Sequence, residues 1–142
     1  MDGTPTPRSR VSAYAIAVDD ERLLLTRLSD RSPVFAPGLW HLPGGGVDHG
    51  EQPVETLARE LREETGLDLA EARLLDSRAY TSVRGGTHWH LVALFYAVTL
   101  GPGTPRVTET DGSTEAAHWV PLSELRAGGL SPAAADALRL LG

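Results

Sequence analysis

Gly45-Gly46-Val47-Asp48-His49-Gly50-Glu51-Gln52-Pro53-Val54-Glu55-Thr56-Leu57-Ala58-Arg59-Glu60-Leu61-Arg62-Glu63-Glu64-Thr65-Gly66-Leu67 is the stretch on which the reading of the whole chain turns. Its pattern predicts a helix over 53–65, with proline at the start and Gly66 as the terminator. Each helical residue advances about 100°, so Val54, Leu57, Ala58 and Leu61 share a core-facing stripe. Glu60, Glu63 and Glu64 fall on a neighbouring arc. Like charges so close repel by roughly 0.2–0.5 kcal/mol per pair on a bare helix. Two readings account for such a face. It is a solvated surface on which Arg59 and Arg62 pair with Glu55 and Glu63, or it is an oxygen-rich cluster suited to hard cations such as Mg²⁺ or Mn²⁺.

Just ahead, Gly44, Gly45 and Gly46 allow a tight turn and a close approach of backbone to a ligand. No Gly-Lys-Ser/Thr follows, so this is not a Walker loop, and His49 stands where a dinucleotide fingerprint needs its third glycine. From Gly45 onward the pattern is Gly, five residues, Glu, seven residues, then Arg-Glu-apolar-any-Glu-Glu-any-Gly-apolar. It falls on Gly45, Glu51, Arg59, Glu60, Leu61, Glu63, Glu64, Gly66 and Leu67. This resembles, position for position, the signature of the Nudix hydrolase family. A chance match in a chain of this length is on the order of one in ten million. The approach from Pro37 through Trp40, His41 and Pro43 to Gly45 is also similar to the family.

The resemblance implies an α/β fold, a Nudix-type α/β/α sandwich whose mixed β-sheet lies between the helix 53–65 and a C-terminal helix 131–141. It implies Mg²⁺, with Mn²⁺ as a substitute, held by Glu60, Glu63 and Glu64 and the backbone carbonyl of Gly44. Arg59 is expected to pair with Glu51 and orient the glutamates. The family draws its general base from different carboxylates, which leaves Glu60 and Glu63 in competition with Glu109 and Glu115. The implied reaction cleaves the pyrophosphate bond of a nucleoside diphosphate linked to another group, foremost a nucleoside triphosphate to monophosphate and pyrophosphate. A nucleotide-sugar or dinucleotide pyrophosphatase is the alternative enzyme. A non-catalytic nucleotide-binding sensor is the alternative of another class, and the four intact motif glutamates argue against it. ADP-ribose-cleaving members carry a proline downstream of the motif, where Val83 stands here. Dinucleoside-tetraphosphate members carry a tyrosine slightly further on, in place of Arg84 and Gly85. Leu24-Leu25-Thr26-Arg27 partly resembles a coenzyme A subgroup, and the residues after it diverge.

Working outward, residues 1–10 read as a flexible N-terminal tail and 11–142 as a single domain. Val11–Val18 and Arg22–Leu28 read as strands about an acidic turn at 19–21. Residues 29–39 read as a loop, 69–82 and 88–100 as strands around Gly85-Gly86, and 101–113 as a Gly/Pro/Thr-rich loop. A last strand at 117–120, a short turn at 122–125 and the helix 131–141, capped by Ser131 and Pro132, complete the chain. Trp40, His88, Trp89 and His90 are candidates for the organic half of a substrate, since stacking on a base is worth about 1–3 kcal/mol; simple packing is the other reading. Trp40, Arg27 and His90 are the expected substrate contacts. Arg78 and Arg84 are further phosphate candidates. A His88/His90 zinc pair lacks a third ligand.

Composition narrows the classes. With 13 Lys+Arg against 19 Asp+Glu the formal charge is −6, which argues against a nucleic-acid polymer as partner. A small anionic nucleotide derivative therefore needs a local cation. The expected partners are such a small molecule and a second copy of the chain as a homodimer. The absence of cysteine excludes a disulfide scaffold, a thiolate metal site and a Cys nucleophile. The longest apolar run, Leu91 to Val98, has eight residues, against about twenty for a membrane span. The run after Arg8 and Arg10 imitates a signal peptide, yet it meets Asp19-Asp20-Glu21 and reads as a strand. A cytoplasmic location is expected.

Overall fold

The structure is a computed structural model that describes residues 4–108, 112–125 and 129–141. In chain order the elements are β1 (Thr6–Ile16), β2 (Val18–Asp19), β3 (Arg22–Leu28), β4 (Trp40–His41), β5 (Gly44–Gly46), α1 (Pro53–Thr65), β6 (Leu69–Arg84), β7 (Thr87–Leu100), β8 (Thr114–Pro121), a 3₁₀ turn (Leu122–Glu124) and α2 (Pro132–Leu140). The strands divide into two four-stranded sheets. One is mixed, in the order β5-β1-β7-β6, with β1 and β7 parallel; the other is antiparallel, with β3 flanked by β2, β4 and β8.

Side-chain alternation assigns each helix to its own core. Ala13 and Ala15 on β1 and Ala17 just after it, with Leu24 on β3, meet Leu57 and Leu61 of α1. Tyr14 and Ile16, with Leu23 and Leu25, point the opposite way, toward Ala133, Ala134 and Ala137 of α2. Successive strand residues face opposite sides, so one alternating run serves both cores. Helices on both sides of strands make the α/β/α sandwich, with its strand layer split into two sheets.

Local chemistry sets the element ends. The turn between β2 and β3 places Asp20 and Glu21 at φ of 52° and 58°, the paired left-handed geometry that tight hairpins require. At the start of α1 the Glu55 carboxylate accepts the Gln52 N–H at 2.8 Å, and Pro53 supplies a preset φ. At its end Gly66, φ 73°, donates its N–H to the Arg62 carbonyl. At α2 the Ser131 Oγ accepts the Ala134 N–H at 3.1 Å.

Two expectations need correction. Thr6–Arg10 are not a loose tail: they pair in parallel register with Thr87–Leu91 of β7, and the ladder satisfies backbone groups that a tail would leave to water. Val54, placed by periodicity on the core stripe, is 44% exposed. It lies in the first turn of α1, whose buried face begins at Thr56 and Leu57.

Candidate active site

The site is built where β5 runs beside α1. Glu51, just ahead of the helix, receives a two-pronged grip from Arg59. Nε donates to Oε2 at 2.8 Å and Nη2 to Oε1 at 2.9 Å. The Thr56 hydroxyl and the Asp48 N–H also donate to Oε1, at 2.7 and 3.1 Å. These donors, the guanidinium first, hold the Glu51 carboxyl down at about 2. The same pairing raises Arg59 above its already high value. The remaining donor, Nη1, spans Glu60 at 3.0 Å and Glu63 at 3.4 Å, and Asp48 lies 3.3 Å from Nη2. The expected Arg59–Glu51 pairing is thus present, and one guanidinium anchors four carboxylates.

Glu64 departs from the exposed arc expected of it. Counting seven residues from Leu57 puts it on the buried stripe, and it is 4% exposed. One carboxylate oxygen accepts the Gly44 N–H at 2.7 Å and the other accepts the Thr114 hydroxyl at 2.5 Å. It ties α1 to β5 and β8. Gly44 meets it through its N–H. Glu60 and Glu63 face outward instead, with side chains 15% and 37% exposed.

The glycine strand β5 is thin by necessity. A Cβ on Gly44, at φ 140°, would fall 2.0 Å from the Ala13 carbonyl oxygen. A Cβ on Gly45 would sit 2.8 Å from a Glu60 carboxylate oxygen, and one on Gly46 would sit 2.7 Å from the Arg10 guanidinium. Glycine therefore lets a carboxylate and a cation both close on the backbone. Beside β5 lies a small cleft of about 30 Å³, partly open to solvent, lined by Arg10, Tyr14, Phe35, His41, Gly44, Gly45 and Glu64 among others. Burial pushes the Tyr14 phenol up to about 12. Burial and the Arg10 charge push His41 down to about 3, so its ring is neutral at pH 7.

The other expected contacts lie elsewhere. Trp40 and Arg27 face each other on neighbouring strands, with the guanidinium 5.9 Å from the ring centroid. Arg27 also lies 3.5 Å from Glu115, and His118 meets Trp40 edge-on. None of these lines the Gly44–Glu64 cleft. Thr114 turns inward to Glu64 while its neighbour Glu115 turns to Arg27, away from Glu60 and Glu63. His90 pairs with Ser9, and with His88 and Trp89 it borders a separate hollow near the start of β1. Arg78 lies 3.6 Å from Asp76, and Arg84 donates to the Ser32 carbonyl. Glu109 lies outside the described residues. Sequence reasoning missed Arg10, Tyr14, Phe35 and His41 as a lining. Only the alternation of residues 10, 12 and 14 on one strand face could have signalled the first two.

A divalent cation can be tested against the side chains present. Among the described residues no three Asp, Glu or His side chains are drawn together to hold one as they stand. The donor chemistry nevertheless fits: oxygen ligands only, with four carboxylates against the single charge of Arg59. Among the described residues no helix is long and apolar enough to cross a membrane.

The sequence and the fold are both similar to those of known proteins. The MutT NUDIX hydrolase structure from Burkholderia pseudomallei superposes with a TM-score of 0.79 at 36% identity, covering 95% of this chain and 99% of that one. An 8-oxo-dGTP diphosphatase of Proteus vulgaris is 35% identical over 57% of this chain and 67% of its own length. A nucleoside triphosphatase NudI of Escherichia coli is 44% identical over 44% of this chain and 43% of its own. The chain spans between 31% and 67% of the lengths of the first curated relatives it matches. The family model described as NUDIX domain matches residues 7–141. The chain belongs to the Nudix hydrolase family.

Proposed function

We propose that this chain is a Mg²⁺-dependent hydrolase that cuts a nucleoside triphosphate to its monophosphate and pyrophosphate with one water. The observation that carries the reading is the Arg59-anchored set of Asp48, Glu51, Glu60 and Glu63, placed across a glycine strand from an aromatic-lined cleft. The names of the relatives, an 8-oxo-dGTP diphosphatase and a nucleoside triphosphatase, support the substrate class. Glu60 and Glu63, with the backbone at Gly44, would hold the cation; Glu64 supports them from behind. When bound, the cation neutralises phosphate charge and lowers the pKa of a water.

The chain's own residues do the rest. Arg59, locked by Glu51, keeps Glu60 and Glu63 at a fixed separation, so little reorganisation is needed when the substrate arrives. Of the carboxylates considered as general base, Glu60 and Glu63 face this group and solvent together, and one of them takes the proton of the attacking water. Water attacks phosphorus, the phosphoanhydride P–O bond breaks, and pyrophosphate leaves. The cytoplasm, where nucleotides are abundant, is the proposed location.

The test is a panel of nucleoside triphosphates, ADP-ribose and nucleotide sugars, assayed with Mg²⁺ and with chelator, with products resolved by ³¹P NMR. Monophosphate plus pyrophosphate, formed only with Mg²⁺, supports the reading. Turnover confined to nucleotide sugars or dinucleotides assigns the alternative pyrophosphatase. Binding without turnover in the whole panel assigns a sensor.

A further inference from the structure

Strand β8 breaks step beside the site. Its ladder with β3 runs regularly from Arg22 opposite Pro121 to Arg27 opposite Ala116; Leu28 then pairs with Thr114, which leaves Glu115 as a bulge. Trp119 and Ala117 pair with Leu24 and Thr26, and Leu24 and Trp119 belong to the core beneath α1. Regular alternation would continue that face at 115 and turn a carboxylate toward Glu64. The bulge re-aims the chain instead. Glu115 lies 3.5 Å from Arg27, and Thr114, 6% exposed, donates its hydroxyl to Glu64 at 2.5 Å. The approach to the bulge is fixed as well. The Ser29 N–H donates to the Ser113 carbonyl at 2.8 Å, and the Ser29 hydroxyl donates to the Gly112 carbonyl at 2.7 Å.

From Thr114 a line of contacts runs into the site. The second Glu64 oxygen accepts the Gly44 N–H at 2.7 Å. The peptide group that carries this N–H is held at its other end too, where the Pro43 carbonyl accepts the Ala15 N–H at 2.8 Å. One residue on, Gly45 packs so closely on Glu60 that a Cβ would meet a carboxylate oxygen at 2.8 Å. Two donors, one on each oxygen, define the plane of the Glu64 carboxylate. With one donor removed, the broad terminal torsion of a glutamate leaves that plane free to turn. Thr114 thus fixes Glu64, Glu64 fixes β5, and β5 sets where Glu60 sits.

We propose that Thr114 is a positioning residue whose hydroxyl locks the Glu64 carboxylate, so that Gly44 and Glu60 keep the geometry that binds the cation. The inference rests on the cation reading above, and its test separates the two. We would measure Mn²⁺ binding by calorimetry without nucleotide, metal-free melting temperature, and kcat and KM for a nucleoside triphosphate with Mg²⁺. The proteins are the wild type, Thr114→Val, which keeps the shape and deletes the hydroxyl, and Thr114→Ser, which keeps the hydroxyl.

Thr114→Val is expected to bind Mn²⁺ about tenfold more weakly and to lose about tenfold or more in kcat, the usual scale for groups that orient metal ligands. Its KM should change far less than its kcat. Thr114→Ser should stay close to the wild type in both affinity and rate. Wild-type Mn²⁺ affinity in Thr114→Val, with only the melting temperature lowered, makes Thr114 a structural contact and overturns the proposal. A loss in Thr114→Ser as large as in Thr114→Val also overturns it, because the hydroxyl is then not the cause. If Thr114→Val does not fold, Thr114→Ala takes its place, with weaker Mn²⁺ binding expected and wild-type affinity again overturning the proposal. If the wild type binds Mn²⁺ and turns over no triphosphate, the activity reading fails alone, and the Mn²⁺ affinities still decide the role of Thr114.

Discussion

Acidification should weaken the fold through one buried side chain, His41. His41 is 5% exposed. It faces the rings of Tyr14 and Phe35 and the charge of Arg10, and its Nδ1 lies 2.6 Å from the Ser131 hydroxyl. The Ser131 Oγ also accepts the Ala134 N–H, and in the neutral ring an unprotonated Nδ1 can accept the Ser131 hydroxyl proton. Protonation would replace that acceptor with a donor beside a second cation. The folded value near 3 lies below the ordinary 6.5. Between them the unfolded chain binds the extra proton, and stability falls as pH falls. One unit corresponds to about 1.4 kcal/mol, so the window from pH 6.5 to 5 should cost about 2 kcal/mol. Urea denaturation at pH 7, 6 and 5 measures this, with His41→Gln as the non-titrating comparison. The variant should be less stable at pH 7 and lose about 2 kcal/mol less than the wild type on acidification. Equal losses in the two proteins would refute the assignment.

Three further outcomes follow from the site. Arg59→Ala should cut turnover by at least a hundredfold and weaken Glu51's hold, and Arg59→Lys should recover little of it because a point charge cannot reproduce the fork; steady-state rates with Mg²⁺ check both. Glu64→Ala strands the Gly44 N–H and the Thr114 hydroxyl, at about 2–6 kcal/mol by the usual cost of buried unsatisfied groups. The isosteric Glu64→Gln, which can accept one bond and donate the other, should lose much less, as read by denaturant midpoint. Gly45→Ala should displace Glu60 and depress turnover with a modest change in melting temperature, whereas Gly44→Ala, whose Cβ meets backbone, should fail to give stable protein.

Helix α1 was legible in full because its signals are local: the spacing of Leu57 and Leu61, Pro53 at the start, and Gly66 at the end. The Arg59–Glu51 pair followed from motif spacing by resemblance. Glu64 was legible as a member of the cluster but not as buried, since a helical wheel cannot say how wide a face the neighbouring strands cover. Thr6–Arg10 looked loose because polar and proline residues hide a strand whose pairing partner, β7, lies some eighty residues away. A different pairing, β1 antiparallel to β5, brings Arg10 to Gly46. Trp40 and Arg27 do meet, across the paired strands β3 and β4 and away from the glycine strand's cleft, a consequence of strand register that composition does not encode.

The central claim is that Glu60 and Glu63 of α1 exist for a catalytic cation. Turnover of a hydrolysed nucleoside triphosphate at saturating Mg²⁺ should therefore be compared among the wild type, Glu63→Gln and Glu55→Gln, alongside metal-free melting. Glu55 accepts the Gln52 N–H at the helix start, a bond that glutamine can keep, so that variant is the control. The account predicts a loss of two or more powers of ten in Glu63→Gln, each power about 1.4 kcal/mol of barrier, with metal-free stability unchanged or slightly raised by relief of repulsion, and near-normal rates in Glu55→Gln. Normal turnover in Glu63→Gln, or an equal collapse in Glu55→Gln, would contradict it.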